Sequence, residues 1–145
     1  MKKFIMLLVI LMLCGCSGTV PKPTLMPTPT PTGVVVPESR IQEILTILNS
    51  SDLATATLDQ DSKYFVLVPS NIDDEWRTIM SEVAKGNSEF TESWDALVSE
   101  YAALSISIYE KAPGYGLAFG NPYNSNNYLL AVLNGRIIYD FATSK

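Results

Sequence analysis

The sequence predicts an α+β fold, a single small domain in which about three helices pack on an antiparallel sheet made of a hairpin and a three-strand meander. Three observations support this prediction. Apolar residues recur at helical spacing in three segments, and two short apolar runs flank a polar turn in the first half of the domain. An Asn-Gly pair separates two further apolar runs near the end. The predicted order is therefore helix, hairpin, two helices and meander.

The first helix is predicted to begin near Pro37, which can occupy a first helical turn, and to end before Asn49. Its apolar residues are Ile41, Ile44, Leu45 and Leu48. Residues 53–58 and 63–70 follow as the two strands of a hairpin. The second of these strands is apolar on both faces, which favours a central place in the sheet.

Two more helices are predicted after the hairpin. Ser70 or Asn71 can cap the second helix, and the third extends from about Ser88 to Lys111. Acidic residues in the first turn of the second helix suit the positive end of the helix dipole: Asp73, Asp74 and Glu75. Tryptophans on the two apolar stripes are expected in the core: Trp76 and Trp94.

The last third of the chain predicts the meander, with strands near 115–120, 128–133 and 136–142. Bulky residues of the first strand alternate with small ones, which are Gly116, Ala118 and Gly120. The resulting bare side favours close packing of the long helix. A groove where a ligand approaches the backbone is the alternative.

The Asn134-Gly135 pair predicts a type I′ turn, because both central residues of such a turn need positive φ. This turn sets the register of the last two strands. The pairs expected on the core side are Val132 with Ile137, Leu130 with Tyr139 and Tyr128 with Phe141. Arg136 and Asp140 are expected together on the other side.

In its order of elements, the domain is similar to profilin-like and roadblock-like domains, and more distantly to small sheet-and-helix domains of the NTF2-like kind. The similarity is one of topology only. It therefore implies nothing about function.

The N-terminus has the pattern of an export signal. Two lysines follow Met1, and the apolar run 4–13 is about half of the roughly 20 residues that a membrane-spanning helix needs. The run ends in Leu13-Cys14-Gly15-Cys16, which resembles the lipobox of bacterial membrane lipoproteins. The resemblance implies that residues 1–15 are a signal peptide and that Cys16 becomes the lipidated first residue. Several acyl chains on Cys16 would anchor the protein stably to a membrane.

Two other interpretations of this segment are open. The apolar run could remain as an uncleaved anchor. A metal or redox site at Cys14 and Cys16 is disfavoured, because the chain has no histidine and no third cysteine. We expect no cofactor and no metal.

Residues 16–37 form a Pro/Thr-rich linker, since six of the nine prolines lie between residues 17 and 37. Such a segment favours polyproline II and cannot bury a core. It acts either as a stalk that carries the domain through an envelope layer or as a tether without a required length.

The globular domain, residues 38–145, is acidic. It contains seven of the basic residues and all fifteen acidic residues, so its formal charge is 7 − 15 = −8. Phosphate backbones repel such a surface, and we expect no nucleic-acid partner.

We assign no catalytic residue. Without histidine the usual nucleophile-base pairs are missing. The acidic residues 73–75 have a sufficient structural role at a helix start. The distant pair Glu100 and Asp140 remains a candidate for acid-base work that sequence alone does not test.

The loop between the first two meander strands has a composition suited to recognition. Asparagine offers a donor and an acceptor, and tyrosine joins an apolar ring to a polar tip. The expected contacts are Tyr123, Asn124 and Asn126. An ordinary turn is the alternative, since Asn, Ser and Pro suit turns for backbone reasons alone.

These features together predict an extracytoplasmic lipoprotein, anchored in the cell membrane through Cys16, whose small non-enzymatic domain binds an envelope protein or peptide. The alternative is an envelope hydrolase that uses carboxylate acid-base residues. A third hypothesis is that the domain blocks a channel or transporter. The oligomeric state is left open.

Overall fold

A computed structural model describes residues 35–70 and 74–144. The predicted signal peptide, Cys16 and most of the linker lie outside the described residues, as does Asp73. The helices are α1 (Glu38–Leu48), α2 (Asp74–Lys85) and α3 (Ser88–Lys111). The strands are β1 (Ala54–Asp59), β2 (Tyr64–Pro69), β3 (Gly116–Gly120), β4 (Tyr128–Leu133) and β5 (Arg136–Asp140).

These elements confirm the predicted α+β class. In the described part of the chain, the five strands form one sheet in the order β1-β2-β3-β4-β5. All neighbours are antiparallel except β2 and β3, which are parallel and place Phe65 beside Leu117. The parallel pair joins the hairpin to the meander, and α2 and α3 supply the long crossover that parallel strands require.

The main core lies between α3 and one side of the sheet, here called the helix side. Trp94 and Tyr101 of α3 pack on Phe119 of β3. The ring centroid of Phe119 lies 6.1 Å from that of Trp94 and 5.7 Å from that of Tyr101. Residues facing them from the strands are fully buried: Phe65, Leu117, Leu130 and Val132. The predicted core position of Trp94 is confirmed. The side chain of Trp76 lies outside the described residues.

Helix α1 is fixed to the β1 edge of the sheet. Its capping residue Asn49 donates to the carbonyl oxygen of Ala56 at 3.0 Å and accepts from the amide of Ala56 at 2.8 Å. The side chain therefore satisfies both polar backbone groups of an edge-strand residue. Ile41 and Ile44 of α1 are buried.

A β-bulge in β5 changes the predicted register. Val132 pairs with Ile137 as predicted, but the next residue, Ala131, pairs with Tyr139, so Ile138 is an extra residue. Because side chains alternate along a strand, one extra residue reverses the sides of all that follow. The predicted Leu130–Tyr139 pair is therefore wrong. Leu130 lies opposite Asp140, so the expectation that Asp140 shares a side with Arg136 is wrong as well.

A second bulge lies in β4. Phe119 pairs with Leu130 and Gly120 pairs with Tyr128, so Leu129 is the extra residue. Tyr128 is thereby placed on the side of the sheet away from α3, here called the outer side. The predicted Tyr128–Phe141 pair on the core side is wrong for this reason.

The small residues of β3 face the outer side, where strand side chains cover them in place of the expected helix. A Cβ added at Gly120 would lie 2.7 Å from Val68 Cγ2 and 3.0 Å from Val66 Cγ1. A Cβ at Gly116 would overlap the Tyr64 ring and approach the Val132 carbonyl oxygen to 2.7 Å. Neighbouring side chains therefore lie directly on the β3 backbone.

The sheet is strongly curled toward its outer side. Tyr128 donates a hydrogen bond to Asp59, although the two residues lie three strands apart. They also lie at opposite ends of the strands, since Tyr128 is level with Gly120 and Asp59 is level with Gly116. In a flat sheet the Cα atoms of Tyr128 and Asp59 would be separated by about 14 Å across the strands and about 13 Å along them, which gives a distance of about 19 Å. Two such side chains cannot bridge that gap, so opposite corners of the sheet must curl together.

Strand β5 is held at both ends. At its end, the buried Asp140 Oδ1 accepts from Trp94 Nε1 at 3.0 Å and from the Ala142 amide at 2.9 Å. At its start, the Gly135 amide donates to Ser105 Oγ at 2.9 Å. Asn134 and Gly135 have φ of 48° and 76°, as the predicted type I′ turn requires.

Replacing Asp140 tests the first of these attachments. We expect Asp140→Ala to lower the free energy of unfolding by about 1–3 kcal/mol more than Asp140→Asn, since alanine leaves the buried Trp94 N–H without an acceptor. Asparagine keeps an oxygen in place and is the matched control. Urea denaturation measures both values. Equal losses would contradict a stabilising role for this acceptor.

Candidate binding surface

The middle of β5 exposes large apolar side chains to solvent. Ile137 is 53% exposed, Ile138 55% and Tyr139 41%. In the structure as described, β5 is the last strand of the sheet, and only β4 pairs with it. An exposed edge with apolar side chains differs from the predicted arrangement, in which Ile137 and Tyr139 face the core.

Helix α3 extends this apolar surface on the helix side. Ile106 is 43% exposed, and its Cδ1 lies 3.0 Å from the position of a Cβ built on Gly135. Ile137 pairs with Val132, so it also faces the helix side. The name β5 patch is used below for the four exposed residues Ile106, Ile137, Ile138 and Tyr139.

The predicted recognition loop is built from Asx turns. Asn121 Oδ1 accepts from the Tyr123 amide at 2.9 Å, and Asn124 Oδ1 accepts from the Asn126 amide at 3.2 Å. These bonds give Asn121 and Asn124 a structural role, as the ordinary-turn interpretation requires. Tyr123, Asn124 and Asn126 are nevertheless exposed. Their role as contacts stays a prediction.

Tyr123 is linked to helix α2. The guanidinium carbon of Arg77 lies 4.6 Å from the centroid of the Tyr123 ring, which is a cation–π arrangement. The loop is thus braced against α2 as well as by its own turns.

A polar cluster on the outer side of the sheet joins β4 to the end of the β1–β2 hairpin. Tyr128 donates to Asp59 Oδ2, and Ser62 Oγ lies 3.0 Å from the Tyr128 hydroxyl. The Tyr64 ring lies 5.9 Å from that of Tyr128. The Tyr128 hydroxyl and then the hydroxyl and amide of Ser62 lower the pKa of the Asp59 carboxyl from 3.8 to about 2. Partial burial and then the bond to Asp59 raise the pKa of Tyr128.

The two carboxylates of the candidate hydrolase pair have different surroundings. Asp140 is buried, and one of its oxygens accepts from Trp94 and Ala142. Partial burial raises the pKa of the Glu100 carboxyl. On α3, Glu100 lies about 120° around the helix from Trp94, the residue that contacts Asp140. The structure therefore assigns Asp140 to the packing of β5 on α3.

Within residues 35–70 and 74–144, no group of three or more acidic or cysteine residues is placed to hold a metal ion. Each buried side-chain nitrogen or oxygen in that part of the chain has a hydrogen-bond partner. No helix described there is long and apolar enough to cross a bilayer.

Sequence reasoning missed the β5 patch and the Trp94–Asp140 contact. The Trp94–Asp140 contact and the outer position of Tyr139 depend on the bulge at Ile138, and the chain shows no glycine or other local signal for it there. Ile137 lies on the predicted side of the sheet but is not covered by α3. An acid between Tyr139 and Phe141 in an otherwise apolar strand was the one available sign that Asp140 has a specific partner.

The chain matches no known family model, no curated protein and no solved structure.

The pKa of Asp59 predicts how stability depends on pH. Because the folded pKa lies below the unfolded value, the ionised carboxylate stabilises the fold above about 3.8, and this contribution is lost as the pH falls toward 2. We expect Tyr128→Phe to make the fall in unfolding free energy over this range shallower. Urea denaturation across acidic pH measures it, with Tyr139→Phe as control. The same pH dependence in Tyr128→Phe and wild type would contradict the assignment.

Proposed function

We propose that this protein is an extracytoplasmic lipoprotein, anchored through Cys16, whose domain binds an extended segment of an envelope protein or peptide at the β5 edge. The domain acts as a binding module. The polar loop 121–127 is a second surface through which it could contact the same partner.

The anchor rests on the N-terminal sequence. Positive charge, a short apolar run and the Leu13-Cys14-Gly15-Cys16 motif occur in the order that lipoprotein export requires. The linker that follows separates the domain from the membrane surface.

The exposed apolar middle of β5 is the observation that carries the binding function. An edge strand offers unpaired backbone N–H and C=O groups, and an extended peptide can add to them as a further strand. Exposed side chains would then supply contacts on both sides of the added strand, Ile137 on the helix side and Tyr139 on the outer side. The attachments at Gly135 and Asp140 fix both ends of β5 before a partner arrives.

Lipidation is tested by replacing each cysteine. We expect Cys16→Ser to abolish incorporation of an alkyne-labelled fatty acid and to leave the signal peptide uncleaved, since Cys16 is the acceptor. Cys14→Ser is the matched control and should be labelled like the wild type. Labelling that requires Cys14 and not Cys16 would contradict the assignment.

Binding is tested by photocrosslinking in cells from three exposed positions of the lipidated protein. We expect a discrete protein adduct from a crosslinker at Ile138 and none from Ile47 of α1, a control of similar exposure. Introducing Ile137→Lys should reduce the adduct, since it places a charge on the exposed apolar surface of the strand edge. An adduct at Tyr123 alone would place binding at the loop and contradict the β5 site.

A further inference from the structure

Helix α3 runs alongside β5 in the opposite direction. Ser105 bonds to the amide of Gly135 at the start of β5, and Trp94 bonds to Asp140 at its end. Eleven helical residues cover about 16 Å. The bulged stretch from Gly135 to Asp140 advances by about four strand steps, or roughly 13 Å, so the two elements match to within about one strand residue between these attachments.

One face of α3 borders the free edge of β5. Asp95, Ser99, Ala102 and Ile106 recur at steps of four, three and four, so they share this face. Ile106 at one end contacts the β4–β5 turn at Gly135. Asp95 at the other end is exposed and follows the residue that bonds to Asp140.

The two ends of this border differ in chemistry. Ile106 and Ile137 make the end near the β4–β5 turn apolar. Asp95 makes the other end acidic, and the surrounding domain, residues 38–145, has a formal charge of −8. Ser99 and Ala102 between them are small and leave room for an incoming strand.

We propose that the segment bound at β5 is cationic and extended, with a basic side chain beside Asp95 and a large apolar side chain beside Ile106 and Ile137. This inference rests on the proposed strand addition and specifies its partner. The acidic domain attracts a basic chain over long range, and Asp95 fixes its register at short range.

The geometry sets the spacing of the two side chains. Both face the helix side, so they are an even number of residues apart. Four residues span about 13 Å of strand, and a long basic side chain covers the rest of the distance to Asp95. With antiparallel pairing, which is the more stable kind, the basic residue precedes the apolar one. The partner motif is therefore Lys/Arg-x-x-x-apolar.

Charge and backbone chemistry argue against two other occupants. A second copy would bring another domain of charge −8 against the first, which is repulsive. The chain's own linker contains Lys22 and Met26 at the right spacing, but prolines at 21, 23 and 27 remove backbone donors from that stretch.

The test uses the mature lipidated chain in neutral detergent and four fluorescent peptides. The first peptide carries Lys and Ile four residues apart among threonines and valines. The second has Glu for Lys, and the third has Lys three residues from Ile, on the opposite side of the strand. The fourth is a copy of residues 20–31. Fluorescence anisotropy gives the affinities, and amide hydrogen exchange of β5 reports strand addition.

We expect the Lys peptide to bind roughly ten-fold more tightly than the Glu peptide and to protect the β5 amides. Asp95→Asn should weaken binding of the Lys peptide about two- to five-fold, and Asp95→Lys should reverse the preference. Asp61→Lys makes an equal change of charge on the β1–β2 turn and is the control. This variant should still bind the Lys peptide more tightly than the Glu peptide.

The outcomes separate this inference from the proposed function. If the Lys, Glu and shifted peptides protect β5 equally, the partner needs neither a basic residue nor the Lys/Arg-x-x-x-apolar spacing. The inference would then be wrong, and strand addition at β5 would still be supported. If the copy of residues 20–31 binds more tightly than the Lys peptide, the occupant of β5 is the chain's own linker and the proposal of a separate partner is wrong. Binding without β5 protection, or no binding by any peptide, would overturn the inference, and the crosslinks from Ile138 decide separately whether β5 is a binding edge.

Discussion

The hydrogen bond between Trp94 and Asp140 is the contact on which the surface of this domain depends. It places a carboxylate inside the core, where burial is costly unless the group is hydrogen-bonded. The bulge at Ile138 brings Asp140 to the helix side and sends Tyr139 to the other. The same bond therefore fixes the end of β5 on α3, while Tyr139 is left exposed on the outer side.

A second constraint is the curl of the sheet. Gly116 and Gly120 let side chains of β2 lie on the backbone of β3, and the bulge at Leu129 brings Tyr128 to the outer side. The bond from Tyr128 to Asp59 then joins opposite corners. On the outer side, Tyr64, Val66 and Val68 of β2 are half-buried. The β5 edge is where three large exposed apolar side chains lie: Ile137, Ile138 and Tyr139.

Most of the elements could be predicted because their signals are local. Helical spacing, the Asn134-Gly135 turn and the apolar run of β2 each predict a segment from its own residues. The parallel pairing of β2 with β3 could not be predicted in this way, since it joins segments separated by two helices. The side occupied by Tyr128, Tyr139 and Asp140 depends on two bulges, and a shift of one residue reverses a whole strand.

The sequence by itself determined the α+β class, the order of elements, the acidic charge of the domain and the N-terminal lipoprotein pattern, because these follow from composition and short-range periodicity. It also marked the loop of Tyr123 as polar. Only the tertiary structure decided that Asp140 is buried against Trp94 and that Ile137 and Ile138 are not. A contact across 46 residues of chain outweighs local hydrophobicity here, because a buried carboxylate must keep its partner.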